Sequence, residues 1–423
     1  MPLSEPRPFL ASLFHAAVEA ADPRHVILRY LPPKPKGRTI VVGAGKGAAQ
    51  LARAFDDAWD APLSGMVVTR YGYAVSCPRI EIREAGHPIP DEAGLEASKV
   101  FFELVTGLTE DDLVVALVSG GGSALLPAPP TGLTLEDEIA LNKALLYSGA
   151  PISVMNTIRK ATSRIKGGRL AEAAYPARVV TLVVSDVPGD DPADVSSGPT
   201  VASNVDPKQA LEFIKAWRID LPYDVMTYLS SQQAFIPPVS RNTRKRCQTT
   251  VIASAAKSLE AAAAVAVRAG IQTVILSDSI EGEARDVGQV HAAIARETAL
   301  RDRPFAKPVL LLSGGETTVS FDKVPSGKGG RNCEFLLSFA LGIQGVGSIT
   351  ALAADTDGID GSEQNAGAYA DTTSVERMVQ HGINARANLH GHDSWTAFNA
   401  LGDLFSPGPT GTNVNDFRAI LVS

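Results

Sequence analysis

Three apolar runs in this sequence end in glycine. Thr39 to Val42 leads into Gly43-Ala44-Gly45-Lys46-Gly47, Leu113 to Val118 into Ser119-Gly120-Gly121-Gly122-Ser123, and Val309 to Leu312 into Ser313-Gly314-Gly315-Glu316. Glycine at a strand end lets the backbone turn tightly and lets a ligand approach its N–H groups, an arrangement that suits anions. Cations stand nearby. Lys46 lies inside the first turn, and Arg331 follows Gly329 and Gly330 at the start of the helix-like Cys333 to Leu341, where a helix N-terminus favours negative charge. Carboxylates gather at two further strand ends: Asp186, Asp190 and Asp191 after Val179 to Val184, and Asp355, Asp357 and Asp360 after Ile349 to Ala353. Such groups repel one another unless a cation or basic group sits among them, although Asp-Pro and Pro-Gly are also ordinary turn chemistry.

Phosphoryl transfer needs donors around phosphates, a cation on the transferred group, carboxylates for Mg2+ and an oriented acceptor hydroxyl. The chain holds every one of these residue types. Lys46 and Arg331 are candidate phosphate or substrate cations, and Asp186 and Asp190 are candidate Mg2+ ligands. Nucleotide-binding backbone is expected at Gly43, Gly45, Ser119, Gly120, Gly121, Gly122, Ser123, Gly314, Gly315 and the adjoining Glu316. GxxxxGK[ST] is absent, because Gly47 follows Lys46, so this is not a Walker kinase. The second acid cluster lacks the distal glutamate of an EF-hand. Hydride transfer is the rival reading. Gly43 to Ala48 satisfies G-x-G-x-x-A after a strand, and the next strand ends in Thr69-Arg70 rather than an acid, which suits NADP. A lysine inside that turn is unusual for a dinucleotide fingerprint. A sugar-acid sensor with no chemistry would not need Lys46 or the acid clusters.

Other polar groups have simpler readings. His87 in a Gly-His-Pro turn is expected to be structural, and His390 with His392 gives two ligands without a third. The basic residues Arg159, Lys160, Arg164, Lys166 and Arg169 read equally well as a solvated face or as a ligand surface.

Strand and helix patterns alternate, which predicts parallel sheets flanked by helices, with ligands beyond the carboxyl ends of strands. Phe9 to Tyr30 reads as one helix, and Thr317 to Phe321 as a return strand pairing with the apolar run before it. At 423 residues the chain exceeds one core. A proline- and arginine-rich stretch between Ser230 and Gln248 places the boundary, giving domains 1–240 and 241–423, the last segment of which could pack back on the first domain. Thirty-nine basic and 46 acidic residues leave a charge of −7, which argues against nucleic-acid binding. Three scattered cysteines without CxxC fit a reducing compartment. No uncharged apolar run approaches the ~20 residues of a membrane span. A cytoplasmic enzyme acting on a small molecule is expected; its oligomeric state is open, a homodimer being one option.

The motifs GAGKGA, AGHPIPDEAG, LVSGGGSALL, SGAPISVMNTIRKATSRIKGGRLA, VVSDVPGDDPADVSSGPT, LLSGGETTV, GGRNCEFLLSFAL, AADTDGIDG and GPTGTNVND, in this order and over nearly the whole chain, resemble the class II glycerate kinases, also called glycerate 2-kinases or the MOFRL family. The resemblance implies two Rossmann-like α/β domains, each with a mostly parallel sheet, and an active site in the cleft between them. It implies transfer of phosphate from ATP to D-glycerate, giving 2-phosphoglycerate, with Mg2+ or another divalent cation. Some relatives bear the name hydroxypyruvate reductase, an NAD(P)H-dependent alternative. By position, Lys46, Arg331 and Asp190 match residues assigned to phosphate, substrate and cleft carboxylate. Ala161 stands where the family segment usually has histidine, and Ser254-Ala255 where an asparagine is frequent.

Overall fold

The computed structural model describes residues 4–235, 237–321 and 327–423. The chain divides into two compact units, Pro23–Ile252 and Met1–Asp22 with Ala253–Ser423. The expected division at 240/241 therefore shifts to residue 252, and the N-terminal helix joins the C-terminal half. Phe9 to Tyr30 is not one helix. Helix Pro6–Glu19 ends before Pro23, which opens a separate short turn, Pro23–Val26, because proline is favoured at a helix start and breaks a helix interior.

The Pro23–Ile252 unit holds β1 (Thr39–Ala44), β2 (Ser64–Arg70), β3 (Glu81–Ala85), β4 (Leu113–Ser119), β5 (Arg178–Val184) and β6 (Cys247–Ala253), ordered β3-β2-β1-β4-β5-β6. The pairs β2–β3, β1–β2, β1–β4 and β4–β5 are parallel. β1 and β4 are buried along their whole length, as the continuous apolar runs require of strands covered on both faces. Ile40, Val42, Val114, Ala116 and Val118 pack with Phe101 and Val105 of helix Glu92–Val105. Helix Ala48–Ala58 also packs on β1, β2 and β4. Successive strands are laid in opposite directions from the β1/β4 pair, which makes the carboxyl ends of β1 and β4 the topological switch point where such sheets bind ligands.

The other unit has β7 (Gln272–Ser277), β8 (Gly282–Glu283), β9 (Val309–Gly315), β10 (Thr317–Thr318), β11 (Ile349–Asp355), β12 (Gly367–Asp371), β13 (Leu404–Phe405) and β14 (Asp416–Val422). Its main sheet runs β13-β12-β11-β14-β9-β7. Only β7–β9 is a parallel pair; β14 is antiparallel to both β9 and β11, and β12 to both β11 and β13. The expectation of a mostly parallel sheet fails here. The helix-linked strands β7, β9 and β11 are co-directional, but the strands arriving through loops run the other way, as short connections allow. β14 is thus a central strand of this sheet. Alternate residues divide between two cores. Leu310, Leu312, Phe417, Ala419 and Leu421 pack with Leu10, Leu13 and Phe14 of helix Pro6–Glu19. Leu311, Ile420 and Val422 pack with Phe335 and Phe339 of helix Arg331–Ile343. β10 pairs in parallel with β8 rather than forming a hairpin with β9; of the basic loop that follows, Ser326 lies outside the described residues.

Candidate active site at the strand ends

The first glycine turn is closed on itself. The backbone N–H of Gly45 donates to Val68 O, that of Lys46 to Gly120 O at 2.8 Å, and that of Ala48 to Gly45 O, while Gly47 N–H donates to Ser119 Oγ at 3.0 Å. The glycines serve close packing. A Cβ on Gly43 would lie 2.3 Å from Leu117 O, and one on Gly45 (φ 140°) would lie 2.2 Å from Ser119 Oγ. Gly43 and Gly45 are therefore not an open anion cradle, which corrects the sequence expectation. The Lys46 side chain is what the turn presents outward. Among the described residues its ammonium makes no hydrogen bond or ion pair.

The second turn is different. No hydrogen bond within the described residues takes up the backbone N–H groups of Gly121, Gly122 or Ser123. Gly121 has φ 84°, and a Cβ there would lie 2.9 Å from His87 Nε2 and 3.1 Å from Lys46 Cγ, so Lys46 and His87 both face this turn. Burial, reinforced by the Lys46 and Arg70 charges, pushes the His87 pKa down to about 4, which keeps the ring neutral beside the lysine. A Cβ on Gly120 would lie 1.6 Å from Asp186 Oδ2, so the Asp186 carboxylate sits directly over the turn. Asp190 follows in a short 3-10 turn, Pro188–Asp190. It is held at φ 55°, a conformation asparagine and aspartate tolerate best, and its carboxylate has no hydrogen bond or ion pair among the described residues.

Behind the turn lies a buried polar network that sequence reasoning missed. Ser196 (φ 55°) donates to Ser119 O at 2.6 Å. Ser197 Oγ contacts Ser123 Oγ at 2.7 Å and Asn156 Oδ1 at 2.9 Å. The SSGPT run after the aspartates is its only sequence signal. The basic segment is not a solvated face. Lys160 and Lys166 are buried and pair with Asp194 and Glu138. Among the described residues Arg159 has no carboxylate partner; it donates to Asn156 Oδ1 and Asn142 Oδ1, and burial pulls its pKa to about 10 against the charge of Glu138.

In the other unit, β9 continues through Gly314 and Gly315, which pair with Phe417 and Asp416 of β14. A Cβ on Gly315 (φ 121°) would lie 2.2 Å from Ile280 N, and Ile280 N–H donates to Gly314 O. These glycines admit a neighbouring segment and do not end the strand, contrary to expectation. Arg331 is clamped by three carboxylates: Nε to Asp416 Oδ1 at 2.7 Å, Nη1 to Glu316 Oε1 at 2.8 Å and Nη2 to Asp355 Oδ2 at 2.7 Å. Burial opposes its charge, but the three acids outweigh burial and raise its pKa. Burial lifts the Asp355 carboxyl well above its ordinary range, with Asp357 and Asp416 adding to the effect and Arg331 opposing it. Asp360 caps the helix, accepting from the Asn332 and Cys333 N–H groups at 2.9 Å each. Asp357 accepts from Ile359 N–H. The second acid cluster is therefore occupied by protein groups. Arg331, Asp355 and Glu334 line a cavity of about 700 Å³. His392 pairs with Glu334 at 3.0 Å, so it is not half of a metal site with His390. Among the described residues no three His, Cys, Asp or Glu side chains are grouped to hold a metal, and no helix is long and apolar enough to cross a membrane.

Residues 9–230 match the model of a domain of unknown function, DUF4147, and residues 309–416 that of the MOFRL family. The chain is 51% identical to an Agrobacterium vitis protein whose name carries hydroxypyruvate reductase as a provisional label, over 98% of this chain and 94% of that one. It is 37% identical to glycerate 2-kinase of Pyrococcus horikoshii, over 96% and 95%. The crystal structure of glycerate kinase from Thermotoga maritima superposes with a TM-score of 0.88 at 35% identity, covering 98% of this chain and 99% of that one.

Proposed function

The chain belongs to the class II glycerate kinases, the MOFRL family, and on that footing we propose that it transfers the γ-phosphoryl group of ATP to D-glycerate, giving 2-phosphoglycerate. The observation that carries this reading is the closed first turn. A dinucleotide fingerprint holds pyrophosphate on backbone N–H groups, and here Gly45, Lys46, Gly47 and Ala48 have theirs engaged internally. What remains is an ammonium beside a turn with open N–H groups. In this reading Lys46 takes the transferring phosphoryl group and the Gly121 to Ser123 backbone holds phosphate oxygens, stabilising charge where it develops. Neutral His87 leaves the lysine as the charge at that spot. Arg331 acts through the acids it orients and through the two of its five N–H donors that the three carboxylates leave over.

A divalent cation fits the first unit better than the second. Mg2+ keeps waters and phosphates among its ligands and needs only one or two carboxylates. Asp190, without a side-chain partner among the described residues, and Asp186, over Gly120, are the residues that would hold it. Bound there, it would neutralise phosphate charge. Three unpaired cysteines suit a cytoplasmic setting.

The β3-β2-β1-β4-β5-β6 order is also that of dinucleotide-binding sheets, which keeps hydroxypyruvate reduction as a second reading. Arg70, at the end of β2, lies with its guanidinium 3.6 Å from the Tyr73 ring centroid. Purified protein given D-glycerate, ATP and Mg2+ should release ADP only when all three are present. NAD(P)H oxidation with hydroxypyruvate and no ADP would reverse the order of the readings.

A further inference from the structure

The proton positions behind the second glycine turn follow from chemistry alone. Asn156 Nδ2 lies 3.0 Å from Asp194 O and 3.3 Å from Asp194 Oδ1, both acceptors, so the amide nitrogen faces Asp194. Its Oδ1 therefore faces Ser197, and Arg159 Nη1 donates to that same oxygen at 3.3 Å. Ser197 Oγ, 2.9 Å away, must place its single proton on Asn156 Oδ1. It can then only accept from Ser123, whose Oγ lies 2.7 Å off. The Ser123 proton is thus directed inward, and a hydroxyl has one proton and two lone pairs. Asn156 and Ser197 are fully buried, so water does not compete for these bonds. Ser123 alone is partly exposed, in the turn faced by Lys46. Ser123 Oγ consequently meets a ligand as an acceptor. It cannot donate to a phosphate without breaking the chain, which refines the sequence expectation of a phosphate cradle at this residue.

Resting on the glycerate kinase reading, we propose that Ser123 accepts a hydrogen bond from a hydroxyl of the hydroxy-acid substrate, with Ser197 and Asn156 as positioning residues that lock it in that sense. Two backbone facts support a built arrangement. Ser197 is held at φ 57° and its neighbour Ser196 at φ 55°, conformations that non-glycine residues adopt at a cost. That cost is met at two adjacent serines whose hydroxyls both point into the turn.

Equilibrium binding by calorimetry tests this, in EDTA and without nucleotide. The ligands are D-glycerate, D-lactate (no 3-hydroxyl) and 3-hydroxypropanoate (no 2-hydroxyl). Ser123→Ala should weaken glycerate about tenfold, the upper range for one hydrogen bond. It should weaken one analogue similarly and leave unchanged the analogue that lacks the partner hydroxyl. Ser197→Gly, which suits the positive φ and so preserves the fold, should repeat the ligand pattern with a smaller factor. Ser123→Thr should restore wild-type affinities. No glycerate binding to the wild type would overturn the substrate reading and this inference with it. Glycerate binding with any other pattern, such as equal losses for all three ligands or no losses, overturns this inference alone.

Discussion

The backbone N–H of Lys46 donates to the carbonyl oxygen of Gly120 at 2.8 Å, so the lysine of one strand end is fixed in place by the glycine turn of the neighbouring strand. The ammonium is a flexible tip on a rigid base. Lys46→Met keeps that backbone bond and most of the stem volume, so the melting temperature should stay within a few degrees. Loss of a charged transition-state contact costs about 3–4 kcal/mol, several hundred-fold in rate. Steady-state kinetics showing a change in KM alone would place the catalytic cation elsewhere, with Arg159 the first alternative.

Asp190 offers a sharper test of the cation. Asparagine tolerates the φ of 55° found there, so Asp190→Asn should fold normally. Activity at limiting Mg2+ should drop by about 100-fold, as for removal of a positioned charge contact, with partial recovery at high Mg2+. Unchanged activity across a Mg2+ titration would make the acidic turn structural.

Arg331→Met addresses the clamp. It strands Asp416, Asp355 and Glu316 together, two of them buried, and breaking a buried charge cluster by removing one partner typically costs about 3–5 kcal/mol. The pH dependence has a definite sign. Asp355 is already raised by burial, and without Arg331 its folded pKa rises further. The folded state then binds a proton that the unfolded chain gives up above its ordinary carboxyl pKa. The penalty should be small in acid and grow as pH rises from the ordinary carboxyl range toward the folded pKa. Urea unfolding of wild type and variant from pH 4 to 8 would reveal it; a pH-independent difference would show that the lost packing dominates.

His291 carries a pH signature of its own. Its Nδ1–H donates to Val287 O at 2.8 Å and its Nε2 contacts Ser313 Oγ at 3.0 Å. Burial pushes its pKa down to about 4. Between that value and the ordinary histidine value near 6.5 the unfolded chain binds a proton that the fold does not, so stability falls as pH drops through this window, by on the order of 3 kcal/mol. His291→Gln should lower stability at pH 7 yet flatten the loss from pH 6.5 to 4. An unchanged slope would assign the acid sensitivity to other groups.

The strand ends were legible because a buried parallel strand must be apolar throughout and must stop at residues that permit a turn; β1, β4 and β5 follow from that alone. The use of each glycine was not legible. The same residue type gives an open turn at Gly121 and a close strand contact at Gly315, and only the neighbours, Lys46 in one case and Ile280 in the other, tell them apart. Arg331 was readable as a cation near acids, but its three partners come from β11, β14 and the segment after β9, a contact set without a local pattern. The burial of Arg159 and Lys166 was hidden for a related reason. Basic residues look solvated in sequence, and these are held inside by Asn142 and Glu138 of helix Leu135–Tyr147 and, for Arg159, also by Asn156 one turn earlier on its own helix. The antiparallel β14 was missed because its apolar run does not encode direction.

β14 also sets an order of events for a chain emerging from the ribosome. Pro23–Ile252 draws on contiguous sequence and can close as soon as it has been made. Helix Pro6–Glu19, synthesised before it, finds its partners Phe417, Ala419 and Leu421 only after roughly 400 further residues, on the order of tens of seconds at ordinary elongation rates. Leu10, Leu13 and Phe14 have none of their partners in this core until Leu259, Ala262 and Ala266 have been made, and the unit that begins the chain is complete only when β14 has emerged.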